Sequence, residues 1–378
     1  MWLTSPRNPN SPLAGLKVLE LARVLAGPWA GQILADLGAD VIKVEGPEGD
    51  GTRQWGPPWV ERDGERAAAY YHSTNRGKRG IVADFRDPGD LARVKALAAD
   101  ADVVIENFKT GALAKFGLDY GSLSGANQGL VYCSITGFGQ MGPRAQEAGY
   151  DFVIQAMSGF MALTGEPAGQ PMKMGVSASD LACGLYSVIG IQAALAMRER
   201  TGRGQHVDMA LLDCSVGLLA SQAMQFLVTG ANPPRMGNGH AQVSAYGVFP
   251  TSDGEVVLAP ANDGLFRKLL TVLGRDDLLS EQRFATNEAR LANRAELDAL
   301  IAAETRLKES DVLLSACAEA GIPAGPINAI DRVFADPQVV ARGLRIDLDG
   351  VPGIRTPLRF SEAELAFDRP SPRKGEDD

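Results

Sequence analysis

The chain has 378 residues, enough for two domains or for one large domain carrying an insertion. Its composition, 45% hydrophobic and 22% charged, excludes a mainly disordered or fibrous chain. A formal net charge of -9 argues against general affinity for nucleic acid or anionic lipid, both of which need clustered Lys and Arg.

The opening stretch MWLTSPRNPNSPL has no apolar h-region and does not read as a secretory signal. LKVLEL has a strand pattern, and GPWAGQILADLG follows as a helix with Pro28 suited to its start and Gly38 to its stop. ADVIKVE, GIVADF, ADVVIENF and LVYCSITGFG are further strands, with the helical pattern DPGDLARVKALAADA between them. Repeated βαβ units predict a mostly parallel sheet and a Rossmann-like α/β fold. Two helices rich in small and apolar residues follow, at residues 180–200 and 208–229. The apolar run at 181–197 falls short of the roughly 20 residues of a membrane span, which favours a buried core helix. GANPPRMGNGH marks a boundary, and YGVFPTSDGEVVLAP predicts two strands turning at Asp253 and Gly254. Residues 262–321 read as helical, GIPAGPIN breaks that pattern, and RPSPRKGEDD is expected to be a mobile tail. Cys133, Cys183, Cys214 and Cys317 are widely spaced without a CxxC pattern. They read as free thiols in a reducing cytoplasm, and suggest neither a zinc site nor a disulfide framework.

No GxGxxG follows the first strand and no GxxxxGK(S/T) occurs anywhere, which argues against a dehydrogenase or a P-loop enzyme. The helix start in ARVLAGPWAG offers backbone N–H groups to a phosphate, or is a plain strand-to-helix turn. NRGKRG, with Arg76, Lys78 and Arg79, is either a solvated loop or a phosphate holder. ENFKTGALAKFG stands at a strand's carboxyl end, where open α/β sheets place ligands, so the two segments together suggest a bulky anionic ligand. His72, His206 and His240 lie in no nucleophile elbow, and no pair of His or Cys has metal-ligand spacing. The odd residue is Asp180, a carboxylate at the head of an apolar helix. Either it caps or begins that helix, or the helix N-terminus keeps it ionised while Ala178, Ser179, Ala182 and Gly184 leave room for a substrate carbonyl, so that it acts as a nucleophile.

Several segments, in order, carry a resemblance: LAGLKVLELARVLAGPWAGQILADLGADVIKVEGPEGDGTRQWGPP, NRGKRGIVADF, ADVVIENFKTGALAKFGLDY, ITGFGQMGPRAQEAGYDFVIQAMSG, the Asp180 segment, RTGRGQHVDMALLD, YGVFPTSDG and GIPAGPI. Together they resemble the class III CoA-transferases, a family that also contains α-methylacyl-CoA racemase. The resemblance implies a large Rossmann-like CoA-binding domain from residues 1–224 and 326–378, a small α+β domain from 225–325, and an interlocked homodimer. It implies no tightly bound cofactor, with coenzyme A and acyl-CoA as substrates. Asp180 would attack an acyl-CoA thioester to give a mixed anhydride and then an enzyme thioester. CoA contacts would come from Val24, Leu25, Thr74, Asn75, Arg76, Lys78, Asn107 and Phe108. Lys115 replaces an arginine of formyl-CoA transferases, whereas Gly46 leaves another such arginine without a counterpart. The racemase branch has a histidine where this chain has Tyr150, which here reads as a substrate-orienting hydroxyl beside Asp151 and favours transfer over racemisation. The stretches TRQWGPPWV and AGYD look closest to the succinyl-CoA:dicarboxylate (glutarate) branch. A distal carboxylate would then need a cation, for which Arg53, Arg235 and His240 are candidates. A racemase and a non-catalytic CoA-binding protein are the alternatives.

Overall fold

Alternating apolar side chains build the central sheet. Val18, Val41, Val131 and Cys133 point into one core layer, while their neighbours Leu19, Ile42 and Tyr132 point into the other. The computed structural model describes every residue from Met1 to Asp378. Its first part runs β1 (Lys17–Glu20), α1 (Ala26–Asp36), β2 (Asp40–Glu45), the hairpin β3 (Trp59–Arg62) and β4 (Glu65–Ala68), α2 (Ala69–Asn75), β5 (Arg79–Val82), α3 (Pro88–Ala99), β6 (Val103–Glu106), α4 (Tyr120–Ala126) and β7 (Val131–Thr136). Then come α5 (Asp151–Met157), α6 (Phe160–Leu163), α7 (Ala178–Thr201), β8 (His206–Ala210), α8 (Leu211–Gly217) and α9 (Ala220–Thr229).

Six strands form a parallel sheet in the order β5-β2-β1-β6-β7-β8. Counted along the chain that order is third, second, first, fourth, fifth, sixth, so the winding reverses between β1 and β6. Crossover loops leave a crevice at such a reversal, outside the carboxyl ends of the strands. Helices α1, α7 and α8 cover one face, and α3 and α4 the other. Helix α7 is long and apolar enough to cross a membrane. Its buried residues, among them Cys183, Val188 and Ile191, belong to the same core layer as Val18 and Ile105, so it is a core helix of this layer.

Two expectations are corrected. Residues 208–210 do not begin a helix: Val207 and Met209 alternate into the core with period two, and β8 pairs with β7. The RPSPRKGEDD tail is pinned to the edge strand β5, where Asp377 accepts the Gly80 N–H at 2.9 Å through its carboxylate and returns its own N–H to the Gly80 carbonyl at 2.9 Å. An edge strand's unpaired backbone is what such a segment covers. GIPAGPIN ends the helical run as expected and supplies a short strand at Ala324–Pro326.

By contacts the chain divides into two units, one of Met1–Met161, Lys173–Asn232 and Gln338–Asp378, the other of Ala162–Met172 and Pro233–Pro337. The second unit carries β9 (Gly247–Pro250), β10 (Glu255–Leu258), α10 (Asp263–Leu273), α11 (Asn287–Ala292), α12 (Arg294–Thr305), α13 (Ser310–Glu319) and β11 (Ala324–Pro326). The three strands form an antiparallel sheet in the order β11-β10-β9. Phe249, Leu258, Phe266, Leu270 and Ile301 pack in its own core.

Candidate active site

The two loops flanking the reversal of the sheet are tied together. Arg23 donates its backbone N–H to Asn107 Oδ1 at 2.8 Å, and Asn107 Nδ2 donates back to the Arg23 carbonyl at 2.6 Å. Between them Val24 adopts φ 72°, a left-handed conformation rare for a β-branched side chain. Its N–H is held by Asp50 Oδ2 at 3.2 Å. Asp50 is buried, paired with Lys43 at 3.0 Å, and held below the ordinary carboxylate range at about 2, where Lys43 and Thr52 outweigh the burial that opposes ionisation. Lys43 in turn reaches Glu20 at 3.2 Å, and Glu20 reaches Lys78 at 2.7 Å. A buried chain of alternating charge thus supports the strained loop from below.

Above that loop lies a cavity of about 510 Å³, lined among others by Arg23, Leu25, Trp55, Asn107, Phe108, Tyr150 and Asp180. Its far wall is made where two backbones cross at Gly137 and Gly149, and a Cβ on Gly137 would stand 2.6 Å from the Gly149 Cα. Only glycine permits that approach.

Asp180 is the third residue of α7, after Ser177, Ala178 and Ser179, and is not its cap. That role falls to Asp151 of α5, whose Oδ1 accepts the N–H of Ser179 at 2.9 Å and of Asp180 at 3.4 Å. Helix α7 reaches this position because Gly184, one turn on, lies flat against α1: a Cβ there would come within 2.8 Å of the Ala26 carbonyl oxygen and 2.9 Å of the Trp29 ring. Gly184 therefore makes room for a neighbouring helix, not for a substrate. Ser215 of α8 donates to Ser179 at 2.8 Å and fixes the first turn from the other side.

The helix N-terminus does not keep Asp180 fully ionised, contrary to expectation. Burial, with the nearby Asp151 charge adding to it, pushes its carboxyl up to about 7. No Lys, Arg or His forms an ion pair with it. Tyr70 of α2 stands on the same side: its hydroxyl interacts with Ser177, its ring meets Trp55 edge-on at 5.1 Å, and burial with the Asp180 charge raises its pKa. Such a carboxylate, half-desolvated, unpaired and facing a cavity, can attack an electrophilic carbonyl once it is ionised.

Val24, Leu25, Asn107, Phe108, Tyr150 and Asp180 all line this one cavity. The basic loop does not. Thr74 and Asn75 are buried; Arg76 makes a two-pronged pair with Asp36 at 3.0 and 2.6 Å. Lys78 is enclosed, giving its protons to Glu20, the Pro28 carbonyl and Asn75, and burial lowers its pKa to about 7. The charge of this loop is spent inside the protein. Lys115 is exposed beside the Phe116 ring and outside the cavity lining. Arg53 is buried on Glu45, with its Nη2 at 2.6 Å from Oε1, and does not line the cavity. Arg235 and His240 belong to the second unit, where Arg235 binds the carbonyls of Glu166 and Gly169.

The cavity's unpaired cations are instead Arg23, whose guanidinium lies 4.5 Å over the Phe108 ring, and Lys109. Lys109 lies in ENFKTGALAKFG and Trp55 in TRQWGPPWV, but neither Arg23 nor Tyr70 stood out in sequence. Arg23 adjoins Val24 and Leu25, which were singled out, and adjacency was the available signal. Tyr70 in AAAYYH had none. No histidine lines the cavity, and no group of three or more His, Cys, Asp or Glu is arranged to hold a metal.

A family model described as CoA-transferase family III matches residues 13–378. The chain is 56% identical over 382 residues to succinate–glutarate CoA-transferase of Agrobacterium fabrum, covering 99% of this chain and 96% of that one. It is 38% identical over 387 residues to succinyl-CoA:glutarate CoA-transferase of Homo sapiens, covering 100% and 87%. Among solved structures, a CAIB/BAIF family protein from Brucella suis superimposes with a TM-score of 0.90 at 59% identity, over 97% of both chains.

Proposed function

Because the chain belongs to CoA-transferase family III, we propose that it moves CoA from succinyl-CoA to a small dicarboxylic acid such as glutarate, with Asp180 as the nucleophile. The observation that carries the mechanism is the unpaired Asp180 carboxylate at the base of the cavity where the sheet's winding reverses. An Asp180 oxygen attacks the thioester carbonyl and expels CoA thiolate, leaving a mixed anhydride. The thiolate attacks the aspartyl carbonyl, releases the donor acid and leaves CoA on Asp180 as a thioester. The acceptor carboxylate then attacks that thioester, and the same steps in reverse deliver the new acyl-CoA. Anhydride and thioester are close enough in energy for this exchange to proceed without ATP. Arg23 and Lys109 are placed to meet the anionic end of CoA, and Arg23 stacked on Phe108 is pre-ordered for it. Racemisation wants a second proton-transfer group across the substrate, and Tyr150 offers a hydroxyl where a histidine would serve.

The strand order fits the Rossmann-like reading. Exposed Leu185 and Ile189 on α7 and Phe226 and Leu227 on α9 support the homodimer, since apolar groups at such density seek cover. The function is tested by mixing the protein with succinyl-CoA and a panel of dicarboxylates and following new CoA esters by chromatography. Transfer to at least one dicarboxylate is expected, with no α-proton exchange in deuterated water when the acceptor is left out. Full exchange by Asp180→Asn would overturn the mechanism.

A further inference from the structure

Two side chains of α5, one turn apart, hold the start of α7. Gln155 is fully buried; its Oε1 accepts the Met174 N–H at 2.9 Å, and its Nε2 donates to Asp151 Oδ2 at 2.7 Å. Asp151 then receives the N–H groups of Ser179 and Asp180 on its other oxygen. Three N–H donors converge on this carboxylate, the pattern of an ionised acceptor. Capping explains Asp151 by itself. It does not explain why a second carboxylate, Asp180, sits in the same first turn with no cation beside it. The groups that interact with the Asp180 charge are Asp151 from α5, Tyr70 from α2 and Cys183 from α7 itself, while Arg23, Lys109, Glu147 and Tyr150 line the same cavity without pairing with it. Helices α1 and α8 present Ala26 and Leu211 to the same cavity. No cation forms an ion pair with either carboxylate, so the arrangement costs most when both are charged.

We propose that Asp151 is a positioning residue whose fixed negative charge favours the uncharged, acylated forms of Asp180 over its free carboxylate. The proposal rests on Asp180 being the nucleophile. In the first step a C–O bond forms, the thioester C–S bond breaks and the electron pair leaves on sulfur. In the second a C–S bond forms at the aspartyl carbonyl, and the donor carboxylate leaves with the electron pair. Asp180 is uncharged in both the anhydride and the thioester, and each relieves the repulsion from Asp151. Negative charge is thereby handed from a site that disfavours it to a departing thiolate or carboxylate.

Asp151→Asn keeps an acceptor for the Ser179 and Asp180 N–H groups and removes the charge. In the unchanged enzyme, kcat/KM for succinyl-CoA should rise with pH through a midpoint near 7. In Asp151→Asn that midpoint should fall by about one unit, and the fraction of enzyme trapped by hydroxylamine under succinyl-CoA without acceptor, at pH 8, should fall about tenfold. Asp151→Ser, a neutral cap of different shape, should give the same shift, and supplies the readout if the Asn variant folds poorly. An unmoved midpoint and adduct fraction in the folded variant, or a midpoint in the ordinary carboxylate range in the unchanged enzyme, overturns the proposal. Persistence of the adduct in Asp180→Asn would instead overturn the nucleophile assignment.

Discussion

The side-chain amide of Asn107 clasps the backbone of Arg23 from both sides, taking its N–H at 2.8 Å and giving a proton to its carbonyl at 2.6 Å. Because β1 and β6 are neighbours at the reversal of the sheet, this clasp fixes the mouth of the cavity at the point where the two loops diverge. Asn107→Asp keeps the acceptor and loses the donor, turning a carboxylate toward a carbonyl. The expected result is a KM for acyl-CoA raised about tenfold, the equivalent of one hydrogen bond of about 1.4 kcal/mol, with kcat changed little. Steady-state kinetics separate the two: a fall in kcat alone would show that the clasp serves the chemical step instead.

Asp180 is held at a cost to stability, and the sign of that cost is testable. Its carboxyl lies near 7 in the folded chain against 3.8 unfolded, so the folded state binds the proton more tightly. Stability from this group is therefore fully present below about pH 4 and is lost as pH rises through 7. Asp180→Asn should raise thermal stability at pH 8 by about 1–3 kcal/mol while leaving it nearly unchanged at pH 4. Equal changes at both pH values would rule out this origin.

Gly184 sets how deeply α7 packs on α1. A methyl group there would meet a backbone oxygen at 2.8 Å, and backbone cannot rotate aside. Gly184→Ala should cost about 1–3 kcal/mol and lower transfer at least tenfold, because Asp180 is one turn away on the same helix. Gly125→Ala in α4, where a Cβ meets open space, is the control and should lower neither. Thermal melts and initial rates on both variants decide the matter.

Much of this site was legible in the residues. The first five sheet strands followed from apolar runs between turn signals, and the absence of every other nucleophile pattern left Asp180 as the odd carboxylate. Two kinds of feature were not legible. One is partner choice: NRGKRG has the charge of a phosphate loop, but Asp36 and Glu20, distant in sequence, close on it in three dimensions. The other is capping from outside the helix. Spacing along α7 cannot reveal that its first turn is held by Asp151, 29 residues away, and so it could not separate a cap from a nucleophile. The tail was misread for the same reason. Its polar composition suits solvent, yet buried Arg53 and Tyr71 both donate to the Pro372 carbonyl.

That tail gives a further test. Removing residues 371–378 would strip Arg53 and Tyr71 of a buried acceptor and uncover β5. Because Arg53 and Tyr71 keep Glu45 as an acceptor, a loss of about 1–2 kcal/mol is expected from the lost carbonyl, together with fast amide exchange at Gly80. Unchanged protection at Gly80 would mean that the tail does not cover the edge.

Arg76 distinguishes internal pairing from phosphate binding most directly. Its guanidinium grips Asp36 with two hydrogen bonds, both side chains are buried, and its backbone N–H is taken by Gln32. Breaking a buried pair from one side leaves the other charge uncompensated, at about 3–5 kcal/mol. Arg76→Gln should therefore lower the melting temperature sharply while the folded fraction keeps its KM for succinyl-CoA. Arg23→Ala, at an exposed and unpaired cation on the cavity, should do the reverse, leaving stability within about 0.5 kcal/mol and raising that KM several-fold. The KM increase should shrink in high salt, since an exposed cation meeting an anion is screened within a Debye length of about 10 Å at 0.1 M. If Arg76→Gln instead raised KM at full stability, the basic loop would have to open to the ligand, and Asp36 would be its resting partner only.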